Sequence, residues 1–164
     1  PEMKSTGEVI GIDKNLEKAL YKAFLATGVK ISGQGTILAT IADKDKKDAI
    51  NLLKKFHELG FSIIATEGTA KALEKAKIPA EKVKKVNEQE PNILDCIREG
   101  KVQLVINTLT KGKAPERDGF KIRRAATETG ILCITSMDTA KALYKVLQSI
   151  TLKPVSIDCS GGLK

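Results

Sequence analysis

Short combinations of threonine, glycine and lysine in this sequence have the residue types that bind a phosphate group. In ATEGTAKAL (65–73), Thr66 and Thr69 lie on either side of Gly68, just before an amphipathic stretch that predicts a helix. Free N–H groups at a helix start, the positive end of its dipole and short hydroxyl side chains together bind anions. Threonine and glycine are equally typical of a helix cap with a turn, and no Walker-type GK[ST] follows. Taken alone, the stretch leaves both interpretations open.

Lysines lie where they could add positive charge to such a site. Lys46 falls in the first turn of a helix that is predicted to begin at Asp45, whose side chain can cap it. A cation there opposes the helix dipole by about 0.3–1 kcal/mol, and an anion beside it would offset that cost. Lys84 and Lys85 belong to KVKKV (82–86), which predicts a weak strand. Because successive strand residues face opposite sides, one of the two can reach a ligand.

A third group of polar residues follows the most apolar predicted strand, in the stretch INTLTKGK (106–113). Asn107, Thr108 and Thr110 come directly after the apolar run. A plain surface loop accounts for threonine and lysine, but less well for an asparagine that can both donate and accept hydrogen bonds. Since no histidine or convincing acid–base pair accompanies them, these residues suit binding of a phosphate and a polar ring better than bond breaking.

The composition narrows the class of partner. The chain has 164 residues, 41% of them hydrophobic, and 28 basic against 20 acidic residues give a net charge of +8. These values are typical of one globular domain, and no apolar run approaches the ~18–20 residues of a membrane span. The basic excess is mostly lysine and aromatic residues make up only 4%, whereas nucleic-acid binders use arginine and aromatic side chains. We therefore expect a small anionic ligand and neither nucleic acid nor membrane as a partner, and a basic nucleic-acid-binding module is the least favoured alternative.

The cysteines and the single histidine do not form a recognisable reactive site. Cys96, Cys133 and Cys159 are widely spaced and odd in number. That pattern argues against a disulfide framework and a zinc site, and it favours buried, reduced thiols in a cytoplasmic protein. His57 lies among lysines in a predicted helix and is expected on its surface. The sequence therefore predicts no catalytic residue and no metal ligand.

Alternating strand and helix patterns place the candidate residues at one edge of a sheet. Strands are predicted at 36–42, 61–65, 82–86, 102–107 and 131–135, helices at 15–27, 45–59, 69–77, 93–99, 122–129 and 139–150, and a loop at 108–119. This alternation predicts an α/β fold of three layers, α/β/α, around a five-stranded parallel sheet. The carboxyl ends of such strands share one edge, and ligands bind beyond it.

Four separated segments together resemble a known family. MKSTGEV (3–9), ATEGTAKAL, VINTLTKGK (105–113) and ERDGFKIRRAA (116–126) resemble the C-terminal regulatory domain of the large chain of bacterial carbamoyl phosphate synthase. The resemblance covers about residues 3–150 and implies the methylglyoxal-synthase-like fold. MKSTGEV is similar to the end of the second ATP-grasp synthetase unit. Residues 1–35 are therefore expected to be the end of that unit plus a linker, 36–152 the allosteric domain and 153–164 a poorly ordered tail.

The resemblance implies a domain that binds effectors and catalyses no reaction itself. In the family, uridine monophosphate (UMP) inhibits the synthase, and phosphoribosyl pyrophosphate (PRPP), inosine monophosphate (IMP) or ornithine activates it. On matching positions, the phosphate is expected at Thr66, Gly68, Thr69 and Lys85, ribose and phosphate near Lys46, and the base near Asn107 and Thr108. Thr110 is included in the effector site although Leu109 stands where some relatives have a second consecutive threonine.

The parent enzyme that the resemblance implies is a cytoplasmic, glutamine-hydrolysing ligase of pyrimidine and arginine biosynthesis. It uses ATP with Mg²⁺ or Mn²⁺, whereas this chain is expected to need no cofactor. The expected partners are the rest of the large chain and the glutaminase small chain, and contact between copies of this chain is left open. The alternative is a methylglyoxal-synthase-like lyase acting on dihydroxyacetone phosphate. That fold relative uses aspartates, and the corresponding stretches NEQEPNILDC (87–96) and VINTLT offer only Glu90 near an expected place.

Overall fold

The computed structural model describes residues 14–26, 35–110 and 112–152. Within them the strands are β1 (Thr36–Thr40), β2 (Ser62–Thr66), β3 (Glu81–Val83), β4 (Leu104–Asn107) and β5 (Leu132–Ile134). The helices are α1 (Lys14–Ala26), α2 (Lys46–Glu58), α3 (Glu67–Lys75), α4 (Ile93–Arg98), α5 (Lys113–Glu128) and α6 (Met137–Leu152), with a short 3-10 turn at Asp43–Asp45. Strands and helices alternate from β1 onward, as the hydrophobic patterns predict.

The five strands form one parallel sheet in the order β3-β2-β1-β4-β5. The chain builds outward from β1 to β3, then crosses to the other side of β1 and continues with β4 and β5. The strand order therefore reverses between β1 and β4, where Thr40 lies beside Asn107 in the register. A crevice beyond the carboxyl ends of the strands at such a reversal is the usual ligand site of open α/β sheets.

Both faces of the sheet are buried, because alternate residues of the central strands pack against different helices. Ile37 and Ala39 face one core, which includes Leu53 of α2 and Leu143 of α6. Leu38 faces the other core, which α4 and α5 cover. Burial on both faces explains why the central strands are continuous apolar runs rather than alternating ones. The predicted three-layer α/β/α fold is thus confirmed.

Helix α1 packs against α6, and its Leu20 is 1% exposed within the first of these cores. The helix predicted at 15–27 is therefore confirmed, with a shift of one residue at each end. The division of the chain at residue 35 remains a prediction. The proposed linker, residues 29–35, lies outside the described residues except for Gly35, and so does the proposed tail, residues 153–164.

The region predicted as a loop at 108–119 is the main error of the sequence-based assignment, because helix α5 already begins at Lys113. Pro115 lies in the first turn, where a residue without an N–H loses no helical hydrogen bond. Gly119 lies inside the helix for a steric reason. A Cβ at this position would be 2.7 Å from Cδ2 of Leu109. Proline and glycine, which usually mark loops, are here compatible with a helix.

Two smaller predictions also need correction. β3 ends at Val83, so Lys84 and Lys85 follow the strand instead of alternating across it, and both are exposed. Asp45 precedes α2 at the capping position, but its side chain makes no cap hydrogen bond. His57 lies on the exposed face of α2 as predicted, with Nδ1 3.2 Å from the carbonyl oxygen of Phe61.

The cysteines that the structure describes are unpaired thiols. Cys96 is buried and Cys133 is half-buried. Burial raises the pKa of both thiols, that of Cys133 to about 11. Since the thiolate is the reactive form, neither group is activated as a nucleophile at neutral pH. The prediction for Cys159 lies outside the described residues. Among the helices of the described ranges, none combines the length and apolar character that a membrane crossing requires.

Candidate functional site

A cavity of about 340 Å³ opens at the carboxyl edge of the sheet, where the strand order reverses. The eight residues predicted for the effector site come from four separate stretches of the chain, and all of them line this cavity: Lys46, Thr66, Gly68, Thr69, Lys85, Asn107, Thr108 and Thr110. The topology therefore brings together residues that are up to 64 positions apart in the sequence. The volume of the cavity is within the range of small-molecule binding sites.

Two of the threonines fix the backbone that follows β1. Oγ1 of Thr69 accepts a hydrogen bond from the N–H of Ile41 at 3.2 Å, and Oγ1 of Thr108 accepts one from the N–H of Ala42 at 2.8 Å. Both threonines are buried. Each hydroxyl acts as the acceptor in these bonds, so its own proton is not used in them and can be donated to a ligand. The threonines thus shape the cavity wall and also offer donors to it.

Asn107 presents an unusual donor at the base of the cavity. Its Oδ1 accepts a hydrogen bond of 2.5 Å from the hydroxyl of Thr40 on the neighbouring strand. Its Nδ2 is buried and is the only buried side-chain polar atom of the described residues without a hydrogen-bond partner. An unsatisfied buried donor costs about 1–3 kcal/mol. The asparagine side chain is therefore set to donate to an acceptor that enters the cavity.

Positive charge and free backbone donors lie on the opposite side, at the start of α3. A Cβ on Gly68 would lie 3.3 Å from Nζ of Lys46, so the glycine gives the ammonium group room at this helix end. Thr66 precedes α3 with an extended backbone and makes no side-chain cap bond, which leaves the first-turn N–H groups uncapped. Lys85 is exposed at the rim and adds a second cation. Together these groups attract an anion.

Two aspartates of the cavity wall were missed by the analysis of the sequence. Asp43 forms an ion pair with Lys46. The hydrogen bond and charge of Lys46, with a smaller contribution from Lys85, lower the pKa of Asp43 below its ordinary value. Asp118 lines the cavity from α5, and its Oδ1 accepts a hydrogen bond of 3.1 Å from Nδ2 of Asn87. Asp43 could have been found, since it directly follows the strand predicted at 36–42, but Asp118 was assigned to a loop.

The remaining lining is mostly apolar. Ile41 and Val86 line the cavity, as do Pro115, Gly119 and Ile122 of α5. Thr110 is exposed at the mouth of the cavity, so its side chain would shield a bound ligand from water less than the buried threonines do. The arrangement combines an apolar wall with a cationic end and several hydrogen-bond donors, which is the usual character of a site for a phosphorylated small molecule. Glu90 is not among the lining residues.

The match to a family model agrees with this architecture. Residues 48–135 match the model of a family described as the MGS-like domain. Among solved structures, the chain is similar to the crystal structure of ForH at 17% sequence identity and a TM-score of 0.47, over 74% of this chain and 83% of that chain. The family match spans more than half of the sequence, from α2 through β5. The chain therefore belongs to the MGS-like domain family.

Proposed function

We propose that this chain is an allosteric effector-binding domain and that its cavity binds a nucleoside monophosphate or a similar phosphorylated metabolite. The resemblance of four segments to the carbamoyl phosphate synthase large chain makes UMP the first inhibitor to test and PRPP, IMP or ornithine the activators. In this proposal the phosphate binds beside Lys46, Lys85 and the start of α3. The parent would be the glutamine-hydrolysing, ATP-dependent synthase, with its glutaminase small chain as a partner in the cytoplasm.

The observation that carries the proposal is the unpartnered Nδ2 of Asn107 in a cavity with two lysines at its rim. A buried amide donor without a partner is costly, and an acceptor on a bound ligand removes that cost. Hydrogen bonds to charged groups contribute about 1.5–3 kcal/mol each. A few such bonds supply the ~8 kcal/mol of a micromolar complex. The cavity therefore has the donors that a phosphorylated ligand requires.

Calorimetric titration of the full chain with UMP tests the proposal. We expect saturable binding of UMP and weak or no binding of uridine, which has the same base and sugar but no phosphate. PRPP, IMP and ornithine, titrated in parallel, identify the activator. The absence of binding heat with all four compounds at millimolar concentration would contradict the proposal. Equal affinity for UMP and uridine would contradict the assigned role of the lysines.

The lyase remains the second candidate because two carboxylates, Asp43 and Asp118, line the cavity. A general base works best when its pKa is near the operating pH. The pKa of Asp43 is lowered instead, mainly by its hydrogen bond to Lys46, and one oxygen of Asp118 is engaged by Asn87. These contacts favour binding over proton abstraction. Incubation with dihydroxyacetone phosphate separates the two functions, since release of inorganic phosphate and methylglyoxal would support the lyase.

Replacement of Asp43 by asparagine is expected to tighten UMP binding about two- to five-fold at low salt, the range that an exposed ion pair can contribute. The change removes a negative charge from the cavity wall and releases Lys46 from its ion pair. Calorimetry at low and high ionic strength measures the effect, which screening should reduce at high salt. Asp48→Asn is the matched control, because it changes the net charge equally but lies outside the cavity. An equal gain in both variants would contradict the local explanation.

A further inference from the structure

The segment of residues 84–92, between β3 and α4, is joined to α5 by polar side chains. Nδ2 of Asn87 donates to Oδ1 of Asp118 at 3.1 Å, and Oδ1 of the same amide accepts from Nζ of Lys121 at 3.3 Å. The amide therefore uses both of its ends to contact one face of α5. Asp118 lines the cavity, as does Lys85 within the segment. Asn87 thus links two walls of the cavity without lining it.

The 84–92 segment is stabilised by hydrogen bonds of its own. The N–H of Ile93 donates to the carbonyl oxygen of Lys84 at 3.0 Å and closes the base of the segment. Within it, the N–H of Lys85 donates to a carboxylate oxygen of Glu88 at 2.9 Å, and the N–H of Glu88 donates to the carbonyl oxygen of Lys85 at 3.0 Å. Lys85 and Glu88 therefore hold Asn87 between them. A restraint on the Asn87 side chain restrains the backbone of Lys85.

We propose that Asn87 is a positioning residue of the cavity: by fastening the 84–92 segment to α5 it holds Lys85 where it contacts the phosphate of a bound ligand. This inference rests on the proposed function. The fastening is weak, because both hydrogen bonds are exposed and exposed polar contacts compete with water. Val86, which is buried against the core with Ile122, anchors the segment from beneath.

Asn87→Ala tests the inference through the affinity for UMP. Loss of the fastening is expected to weaken binding about five-fold, which corresponds to roughly 1 kcal/mol for the lost hydrogen bonds. Asn51→Ala, at an exposed asparagine of α2, is the control and should leave the affinity unchanged. In an Asp118→Ala, Lys121→Ala background, the Asn87→Ala change should have little further effect, because both bonds that join Asn87 to α5 are already absent. Equal weakening in both backgrounds would overturn the inference.

Hydrogen exchange provides a readout that does not depend on the ligand. In the ligand-free chain, Asn87→Ala should speed exchange of the Lys85 and Glu88 amides and leave the amides of β1 unchanged. Unchanged exchange at Lys85 would overturn the fastening even if the affinity for UMP fell. If the unmodified chain bound no UMP while the Asn87 variant showed faster exchange, the proposed function would fail and the fastening itself would stand.

Discussion

Asn107→Leu is expected to lower the affinity for UMP by up to about 10-fold while the ligand-free protein keeps its stability. Leucine has nearly the same shape as asparagine but no donor, so a hydrogen bond to the neutral base, worth about 0.5–1.5 kcal/mol, is lost. In the empty protein, the change also removes the buried Nδ2 that lacks a partner. The half-buried hydroxyl of Thr40 loses its acceptor, but water can replace it. Calorimetry gives the affinity and urea denaturation gives the stability.

Asn107→Asp is the companion variant for this experiment. It retains the oxygen that accepts from Thr40 and replaces the donor by a buried negative charge. We therefore expect it to lose UMP binding and also to lower the free energy of unfolding, since an unpaired buried charge is costly. If Asn107→Leu bound UMP as tightly as the unmodified chain, the amide would not be a ligand donor. If Asn107→Leu were instead as unstable as Asn107→Asp, the amide would be needed for folding.

Phe56→Ala is expected to have the largest effect on stability, a loss of about 3–5 kcal/mol. Phe56 is fully buried on α2, and its ring meets those of Phe61 and Tyr144 edge to face at centroid distances of 5.6 and 5.4 Å. Alanine would leave a cavity between α2, α6 and the start of β2. Since a typical domain is stable by only 5–15 kcal/mol, the urea midpoint should fall steeply with little change in slope.

Phe120→Ala provides the matched control for Phe56. Phe120 lies on α5 and is 58% exposed, so the same chemical change should alter the free energy of unfolding by no more than about 0.5 kcal/mol. Comparable losses in the two variants would show that Phe120 is covered in solution by something other than water. A small loss at Phe56 would mean that the first core repacks around the missing ring.

The fold could be predicted from the sequence because short stretches of residues identify each strand and each helix. Each central strand is a short apolar run bounded by turn residues, and each helix carries an apolar face. The alternation of strands and helices, and hence the parallel sheet, can therefore be predicted. Placing the candidate residues at one edge required only the rule that parallel strands end together. Thr66, Lys85 and Asn107 line one cavity for this reason, even though β3 ends before the lysine.

The features that could not be predicted depend on contacts between distant residues. Gly119 looks like a helix breaker until the position of Leu109 is known. Because α5 was predicted to begin too late, Asp118 was assigned to a loop, and its bond to Asn87, 31 residues away, could not be anticipated. The unpartnered state of Nδ2 in Asn107 is likewise a property of its surroundings. Patterns in the sequence indicate where polar groups gather, but not which of them remain unsatisfied.

The hydroxyl groups of Thr69 and Thr108 have a consequence for how binding could be signalled. They bind the amides of Ile41 and Ala42 from α3 and from the end of β4, so the backbone of this wall is restrained from two sides. A restrained wall has less conformational entropy to lose when a ligand binds. We therefore expect the response to binding to be larger at the exposed part of the rim that carries Lys85.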